Sequence, residues 1–167
     1  MGRRRGDGVR SVEAVYDALA PAVLGYFRAQ RMADPEGLTG DVFVSVARRL
    51  HDFDGDDEAL RRWVFTIAHH RRVDEIRRAA RQPLTTTTDG LDLEGPPLED
   101  PLDPALVRAL ATLTDEQRQV VVLRHVADLS VADVARVTGH SEGSVKMLCS
   151  RGLEALAGRL APAADPA

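Results

Sequence analysis

Arginine is concentrated in one short part of this chain. Residues 61–82 hold seven arginines and two acids, a local charge of +5 in a protein whose net charge is −4. The most basic stretch, Arg71-Arg-Val-Asp-Glu-Ile-Arg-Arg-Ala-Ala-Arg, follows Phe53, Trp63 and Phe65. Guanidinium groups bind phosphate oxygens and aromatic rings stack on unpaired bases, so this segment predicts contact with nucleic acid. A solvated helix face is the alternative that an isolated arginine cluster leaves open.

The aromatic residues near these arginines have different expected positions. Trp63 has helical spacing with Leu60 and Ile67, which favours a place in the core. Phe53 lies in the acidic loop Asp52-Phe-Asp-Gly-Asp-Asp and is the better candidate for an exposed ring.

A second cationic set lies near the C-terminus, on a segment with helical spacing. Its apolar face would consist of Val145, Leu148, Cys149, Leu153 and Leu156. Lys146, Met147, Ser150 and Arg151 lie largely opposite. A DNA recognition helix is built in this way, with one face anchored and the other presenting polar and cationic groups to the major groove. An ordinary helical hairpin is the alternative.

Residues for catalysis or metal binding do not form a recognisable pattern. The histidines at positions 51, 69, 70, 125 and 140 lack H-x-x-x-H spacing, and the single cysteine, Cys149, falls on the predicted apolar face. There is also no phosphate-binding glycine loop. We therefore predict no enzyme activity, no metal and no cofactor.

Composition narrows the class of protein further. The chain has 167 residues, of which 44% are hydrophobic and 4% aromatic. No apolar run approaches the roughly 20 residues that cross a bilayer, and the basic start lacks the apolar stretch of a secretory signal. We therefore expect no membrane insertion and a cytoplasmic location. A single cysteine excludes a disulfide framework.

Helical periodicity dominates the elements that must position these residues. Segments 11–31, 39–51 and 57–81 repeat apolar residues at helical spacing, and no useful length alternates as a strand would. We expect Pro21 to bend or split the first helix. Residues 82–104 hold six acids, no base, and several prolines and threonines, which predicts a flexible acidic linker.

The predicted fold class is therefore all-α, with two small helical domains. Their expected limits are a basic N-terminus at 1–10, a first domain at 11–81, the linker at 82–104, a second domain at 105–160 and a tail at 161–167. Each domain is small enough that part of its stability is expected to come from a partner.

The second domain carries the pattern of a helix-turn-helix. Thr114 and Gln117 match a capping box that opens one helix. Ser130 is placed to cap a short helix, and Gly139 supplies the positive φ that ends it. Ser141 then opens a longer helix to about residue 160, after a turn of the length that this motif requires.

Taken in order, these segments resemble the bacterial extracytoplasmic-function (group 4) RNA polymerase sigma factors. The stretch from Asp41 to Gly55, continued by Leu60 to Arg78, resembles sigma domain 2. The stretch from Leu113 to Val126, followed by the helix-turn-helix, resembles sigma domain 4. The resemblance covers about residues 11–160, and it is the ordered combination rather than any single motif that makes it specific.

The resemblance implies a promoter-specificity subunit, with RNA polymerase core and promoter DNA as partners. The first domain would dock on the clamp helices of the β′ subunit, and the second would lie at the β flap. The implied docking residues are Asp41, Val42, Ser45, Arg48 and Arg49. The acidic linker would thread through the channel that later carries RNA, and an anti-sigma factor would hold the chain inactive.

The resemblance also implies where DNA binds. Phe53 would meet the melted minus-ten strand, while Arg72, Arg77 and Arg78 would lie near phosphates. The helix 141–157 would read the minus-thirty-five element, through Ser141, Ser144, Lys146, Met147, Ser150 and Arg151.

Three positions depart from the family pattern. Gly40-Asp41 stands where two polar or acidic residues are usual, and His70 replaces a common asparagine. Met147-Leu148 replaces a small polar residue followed by arginine, which removes a DNA contact from the recognition helix.

Two other classes of protein fit parts of the pattern. One is a stand-alone helix-turn-helix regulator that binds operator DNA without polymerase. The other is a helical adaptor that binds only proteins and whose basic face is merely solvated.

Overall fold

The structure, a computed structural model, describes residues 10–82 and 99–160. Within these ranges the chain forms α-helices, one short 3-10 turn and no strand, so the all-α prediction is confirmed. The helices are α1 (Val12–Ala29), α2 (Pro35–Arg49), α3 (Asp57–Arg81), α4 (Pro104–Leu110), α5 (Asp115–His125), α6 (Val131–Thr138) and α7 (Glu142–Leu160), with the 3-10 turn at Leu50–Asp52. The basic N-terminus, most of the predicted linker and the tail lie outside the described residues. No helix in the described ranges has the length and apolarity needed to cross a membrane.

The first helix is continuous through its proline. Ser11 caps α1 by accepting a hydrogen bond from the N–H of Ala14, and the helix then runs through Pro21 to Ala29. A split at Pro21 is therefore a wrong prediction. Proline has no N–H, so the carbonyl of Asp17, four residues earlier, has no donor within the helix. Both Pro21 and Asp17 are exposed. Water can satisfy that carbonyl, so the helix continues.

The second helix begins four residues earlier than the periodicity predicts. Asp34 accepts a hydrogen bond from the N–H of Gly37 at 2.9 Å, and Pro35 takes the first helical position. Proline is favoured there because its missing N–H would have no intrahelical partner.

Helices α1, α2 and α3 form the N-terminal domain around an aromatic core. Tyr16 meets Phe43 edge to face at 4.9 Å between ring centroids, and Tyr26 meets Phe65 in the same way at 6.0 Å. Phe65 is completely buried. Its place among the aromatic residues proposed to support nucleic-acid contact is thus corrected, because its ring is a core anchor.

Helices α4 to α7 form the C-terminal domain, and the helix caps predicted from its sequence are confirmed. Thr114 and Gln117 make both hydrogen bonds of the capping box. Ser130 caps α6, and Gly139 ends it with φ of 77°. The Ser141 hydroxyl accepts the N–H of Ser144 at 3.1 Å and so opens α7. The helix-turn-helix is formed by α6 and α7.

The packing face of α7 differs from the predicted one at a single position. Leu153 is 41% exposed, whereas Gly152 and Leu156 are buried. A Cβ on Gly152 would lie 2.7 Å from Cγ2 of Val121, so α5 and α7 cross at this glycine. The close crossing turns Leu153 towards solvent, which corrects the prediction that it points inward.

The two domains pack against each other, a contact that the sequence did not predict. Along α5, Gln119 to Leu123 are buried without interruption, a run too wide for one helix face. One side of α5 therefore packs within its own domain, and the other faces α1. The end of the predicted linker joins this contact, because Pro101 and Leu102 lie against Gly25.

Candidate nucleic-acid interface

The exposed basic surface lies at the C-terminal end of α3. Arg77, Arg78 and Arg81 line a shallow polar concavity together with Asp74 and Gln82. All are exposed, and Arg78 donates to the carboxylate of Glu75 at 2.9 Å. Three guanidinium groups on one exposed helix end can meet successive phosphates of a nucleic-acid backbone.

The predicted aromatic contact is a stacked pair rather than a single exposed ring. Phe53 stacks on Trp63 with ring centroids 5.0 Å apart and planes inclined by 24°. Both residues are half-buried. The expectation that Phe53 is freely exposed is therefore corrected, because Trp63 covers one face of its ring. The pair still offers an aromatic platform at the start of α3.

The candidate docking residues on α2 divide into an outer and an inner group. Asp41, Arg48 and Arg49 are exposed. Val42 is completely buried and Ser45 nearly so, with its hydroxyl accepting a hydrogen bond from Arg71 at 2.9 Å. In this arrangement the side chain of Val42 is a core contact and Ser45 ties α2 to α3, so only the outer group can meet a partner directly.

The recognition helix presents its polar face to solvent. Ser141, Lys146, Met147, Ser150 and Arg151 are exposed. Ser144 is half-buried and accepts a hydrogen bond from the hydroxyl of Ser141 at 2.9 Å. These six side chains lie at the N-terminal half of α7, the part of a recognition helix that reaches base edges.

The one cysteine packs at the edge of the C-terminal core. Its Sγ lies 3.6 Å from Nε2 of His125, and burial raises the pKa of Cys149 above its usual range. A raised pKa keeps the thiol protonated and unreactive. Within residues 10–82 and 99–160, no three His, Cys, Asp or Glu side chains converge as metal ligands.

One predicted DNA-binding arginine is enclosed. Arg72 is only 4% exposed and donates to Oδ1 of Asp115, on α5, at 2.5 Å. Arg118 donates to the same oxygen at 3.0 Å. Burial acts to raise the pKa of Asp115, but the hydrogen bond from Arg72 and the nearby arginine charges lower it below its usual value. The contact is therefore an ion pair that joins the two domains.

A histidine and two further arginines extend this contact. His69 Nδ1 lies 2.9 Å from Nε2 of Gln119, and burial lowers the pKa of His69 to about 4. Arg61 donates to the carbonyl of Ala127 at 3.2 Å, and Arg62 to the carboxylate of Asp133 at 2.9 Å. We call this boundary the interdomain seam. Its members are Tyr26, Gln30, Arg61, Arg62, His69 and Arg72 from the N-terminal domain, and Asp115, Arg118, Gln119, Ala127 and Asp133 from the C-terminal domain.

Sequence reasoning did not find the interdomain seam. Its charged residues occur at helical positions that would equally be expected on a solvent-exposed helix face. The one available signal was the uninterrupted apolar run Val120-Val-Val-Leu, which has more apolar surface than one domain of this size needs.

Comparisons with known proteins assign both halves. Residues 14–82 match the profile of Sigma-70 region 2, and residues 104–156 match that of Sigma-70, region 4. The ECF RNA polymerase sigma factor RpoE of Cereibacter sphaeroides is 30% identical over 145 residues, covering 79% of this chain and 76% of RpoE. The chain belongs to the ECF sigma factor family.

Two further comparisons concern the length of this chain and its fold. The ECF sigma factor BldN of Streptomyces coelicolor is 32% identical over 157 residues, or 89% of this chain, which spans 59% of the length of BldN. The fold matches the sigma factor RpoE of Bartonella quintana, solved with the anti-sigma factor NepR. That match has a TM-score of 0.66 at 20% identity and covers 90% of this chain and 98% of the other.

Within this sigma factor the geometry can now be assigned to regions. Helices α1 to α3 are region 2, and α4 to α7 are region 4 with its helix-turn-helix. The interdomain seam therefore joins region 2 to region 4. The exposed arginines of α3 and the polar face of α7 belong to different regions, and neither takes part in the seam.

Proposed function

We propose that this ECF sigma factor binds the RNA polymerase core and directs transcription initiation at specific promoters. The observation that carries the proposal is the presence of both regions in one chain, each with an exposed cationic helix face. Sigma factors are not enzymes, and bond formation would belong entirely to the core.

Region 2 would bind the minus-ten element. Arg77 and Arg78 are exposed at the end of α3 and are suited to phosphate contacts. The Phe53–Trp63 pair lies towards the other end of the same helix and offers a surface on which an unpaired base can stack. Helix α3 would therefore supply both backbone contacts and base contacts to a melted strand.

Region 4 would read the minus-thirty-five element through the major groove. Lys146 and Arg151 can reach phosphates or guanine edges, whereas Met147 offers only an apolar contact such as a thymine methyl. Ser141, Ser144 and Ser150 add hydroxyl groups on the same half of α7. Their mixture of short polar and cationic groups fits sequence recognition better than uniform phosphate binding.

Docking on the core would use the outer face of α2. Asp41, Arg48 and Arg49 are exposed there, and the Arg71–Ser45 hydrogen bond fixes α2 against α3. We assign this face to the β′ clamp helices and region 4 to the β flap, following the family resemblance. Val42 and Ser45 would support the face from within.

An anti-sigma factor would control the chain. The Bartonella quintana RpoE, which has the same fold, is in complex with the anti-sigma factor NepR. In this protein a groove runs between the two regions, with walls of mixed polarity. It is lined by Leu19, Leu60 and Leu129 and by Arg10, Arg61 and Arg124, among others. Such a groove suits an amphipathic segment of a protein inhibitor.

The test is a pull-down with purified core polymerase, paired with a mobility-shift assay on duplex DNA. A sigma factor of this kind should be retained by core and should shift promoter DNA well only when core is present. A stand-alone operator-binding regulator would shift duplex DNA by itself and would not be retained. An adaptor that binds only proteins would not be retained by core and would not shift duplex DNA.

A further inference from the structure

The exposed face of the recognition helix carries as much negative charge as positive charge. Between positions 142 and 154 of α7, Lys146 and Arg151 are balanced by Glu142 and Glu154, and all four residues are exposed. The concavity at the end of α3 differs, because it is lined by three arginines and a single aspartate. Attraction to phosphates therefore gives the α7 face little affinity for DNA, in contrast to the end of α3.

One of the two carboxylates lies at the tip of the recognition helix. Glu142 is the first residue of α7, directly after the Ser141 cap. Within the part of the chain that the structure describes, Glu142 has no hydrogen bond or ion pair, although Lys146 follows at the four-residue spacing that favours one. Glu154 differs, because it accepts a hydrogen bond from the Ser150 hydroxyl at 3.4 Å. The carboxylate of Glu142 is therefore available to accept hydrogen bonds from a partner molecule.

A carboxylate in the major groove finds few hydrogen-bond donors on the base edges. The donors there are the N4 amino group of cytosine and the N6 amino group of adenine, and adenine places its acceptor N7 beside that donor. Guanine presents two acceptors, and thymine presents one acceptor and a methyl group. A carboxylate accepts hydrogen bonds but donates none, so an adjacent acceptor repels it. Cytosine is therefore the base that a glutamate matches best.

From this position and this chemistry we propose that Glu142 is a specificity-determining residue, which selects a cytosine in the minus-thirty-five element by accepting a hydrogen bond from its N4 amino group. The N-terminal residues of a recognition helix are those that contact base edges. Gly143 follows without a side chain, and a Cβ there would have only the Ser141 hydroxyl oxygen nearby, at 4.0 Å. This open space leaves room for a base pair beside the carboxylate. The inference rests on the proposed function and names a base that region 4 selects.

Glu142 would also act against DNA that lacks this cytosine. A base edge that presents acceptors would leave the carboxylate desolvated and without a hydrogen bond, which costs free energy. The charge of Glu142 opposes the phosphates at every sequence, so contacts without the cytosine gain nothing to offset that repulsion. Region 4 would therefore contribute selectivity, while the exposed arginines of α3 contribute most of the attraction to the DNA backbone.

Three variants of the full chain separate base selection from a general effect of charge. Glu142→Ala removes the acceptor. Glu142→Gln replaces the carboxylate by an amide, which pairs best with N6 and N7 of adenine. Glu154→Ala is the matched control, because it removes the same charge from the same exposed helix, about three turns further from the N-terminus.

Transcription with core polymerase from a library randomised across the minus-thirty-five element measures the preferred base at each position. For the wild type and Glu154→Ala we expect one position at which cytosine is favoured about five- to tenfold over the other bases, as a good base contact gives. Glu142→Ala should lose the preference at that position and keep the others. Glu142→Gln should shift the preference there from cytosine towards adenine.

A purely structural role of Glu142 leads to a different result. A negative charge in the first turn stabilises the positive end of the α7 dipole. If that were its whole effect, Glu142→Ala would weaken transcription to the same extent at every sequence of the library, and the proposal would be wrong. An unchanged preference in both Glu142 variants, or the same loss of preference in Glu154→Ala, would also overturn it.

Failure of this proposal can be distinguished from failure of the proposed function. Selection of duplexes from the same library by the full chain alone, at low salt, measures base preference without core polymerase. If that selection shows the cytosine preference and its loss in Glu142→Ala, but core polymerase gives no promoter-specific transcripts, the role of Glu142 stands and the sigma-factor proposal fails. If transcription is promoter-specific but Glu142→Ala leaves every base preference unchanged, only the role of Glu142 is excluded.

Discussion

The ring of Phe53 stacks on the indole of Trp63, with planes inclined by 24°. Gly55 keeps the loop tight around this pair, because a Cβ there would lie 2.9 Å from Cζ of Phe53. The indole belongs to α3 and the phenyl ring to the loop before it, and both residues are half-buried. A preformed stack loses little conformational entropy when a base joins it, so the pair is suited to capture an unpaired nucleotide.

Phe53→Ala is therefore expected to impair strand opening. Each stacked base is worth about 1–3 kcal/mol, so open-complex formation should fall by at least about fivefold. Binding of the closed duplex should change little, because phosphates and not rings carry it. Reactivity of thymines to permanganate measures the melted region. Ile76→Ala, at a residue 45% exposed on α3, is the control, and an equal loss in both variants would remove Phe53 from the strand-binding role.

Replacing Arg77 and Arg78 by alanine should weaken promoter binding in a salt-dependent way. Each lost phosphate contact lowers the slope of log affinity against log salt by roughly 1, so the double variant should lose about 2. Retention on core polymerase should be unchanged. Arg108→Ala, an exposed arginine on α4, removes one charge elsewhere and serves as the control. If the double variant instead loses retention on core and keeps the same salt slope, these two arginines bind core polymerase and not DNA.

Local signals in the sequence were sufficient for the helix ends but not for the contacts between domains. The capping box at Thr114 and Gln117 and the positive φ at Gly139 depend on residues within four positions of each other, and both were predicted. The early start of α2 carried such a signal too, in Asp34-Pro35, which the apolar period did not include. The predicted split at Pro21 was wrong because the effect of a proline depends on whether it lies on the side of the helix that meets water.

Gly152→Ala should destabilise region 4 by about 1–3 kcal/mol, because its Cβ would overlap Val121 where α5 crosses α7. Gly158→Ala should instead stabilise it by roughly 0.5–1 kcal/mol, since alanine is a better helix former and position 158 is open. Chemical denaturation measures both. Combining Gly152→Ala with Val121→Ala should cost less than the sum of the two single substitutions, because the overlap is removed. Additive costs would show that the loss at position 152 does not come from this crossing.

The folded structure should lose stability in mild acid through His69. Burial and then the charges of Arg72 and His70 lower the pKa of His69 from 6.5 to about 4, so its neutral form stabilises the folded structure above pH 6.5. That contribution is lost as pH falls from 6.5 towards 4, at about 1.4 kcal/mol per pH unit. The groups that face His69 are His70 and Arg72 from α3, Gln119 and Asp115 from α5, and His140 before α7. Asp115 has a lowered pKa, so its own contribution is lost only under more acidic conditions.

Hydrogen exchange along α5, measured between pH 4 and pH 7 and corrected for the intrinsic rate, checks this dependence. His69→Gln should retain a polar group beside Gln119 but remove the pH-dependent loss over this interval. If the wild type and His69→Gln show the same dependence, another group controls the loss of stability in acid.

The recognition helix should lose affinity and selectivity at two positions. Arg151→Ala should cost about 1–3 kcal/mol of promoter binding if the guanidinium pairs with a base, and less if it meets only phosphate. Met147→Ser should change the preferred minus-thirty-five sequence without unfolding the domain, because Met147 is 46% exposed. Transcription from a randomised minus-thirty-five library measures both. The same preferred sequence in both variants and the wild type would show that neither residue reads bases.

The candidate site was predictable in part, for reasons that its residues make clear. Arg77, Arg78 and the polar face of α7 are set by helical spacing alone, and they are exposed as expected. Arg72 has the same spacing signal, yet it is enclosed because Asp115 lies 43 positions away in sequence and reaches it only through the packing of two domains. Leu153 likewise points outward because Gly152 lets α5 approach. Contacts of this kind depend on tertiary geometry, which local spacing does not contain.

Run-off transcription with purified core polymerase and the full chain shows whether this protein directs promoter-specific initiation. A library of genomic promoter fragments would serve as template. We expect transcripts that start at a defined set of promoters sharing minus-ten and minus-thirty-five elements and that appear only when this chain is added. These transcripts should decrease with Arg77→Ala/Arg78→Ala. A chain that folds and binds DNA but leaves core polymerase without promoter-specific transcripts would contradict its role as a sigma factor.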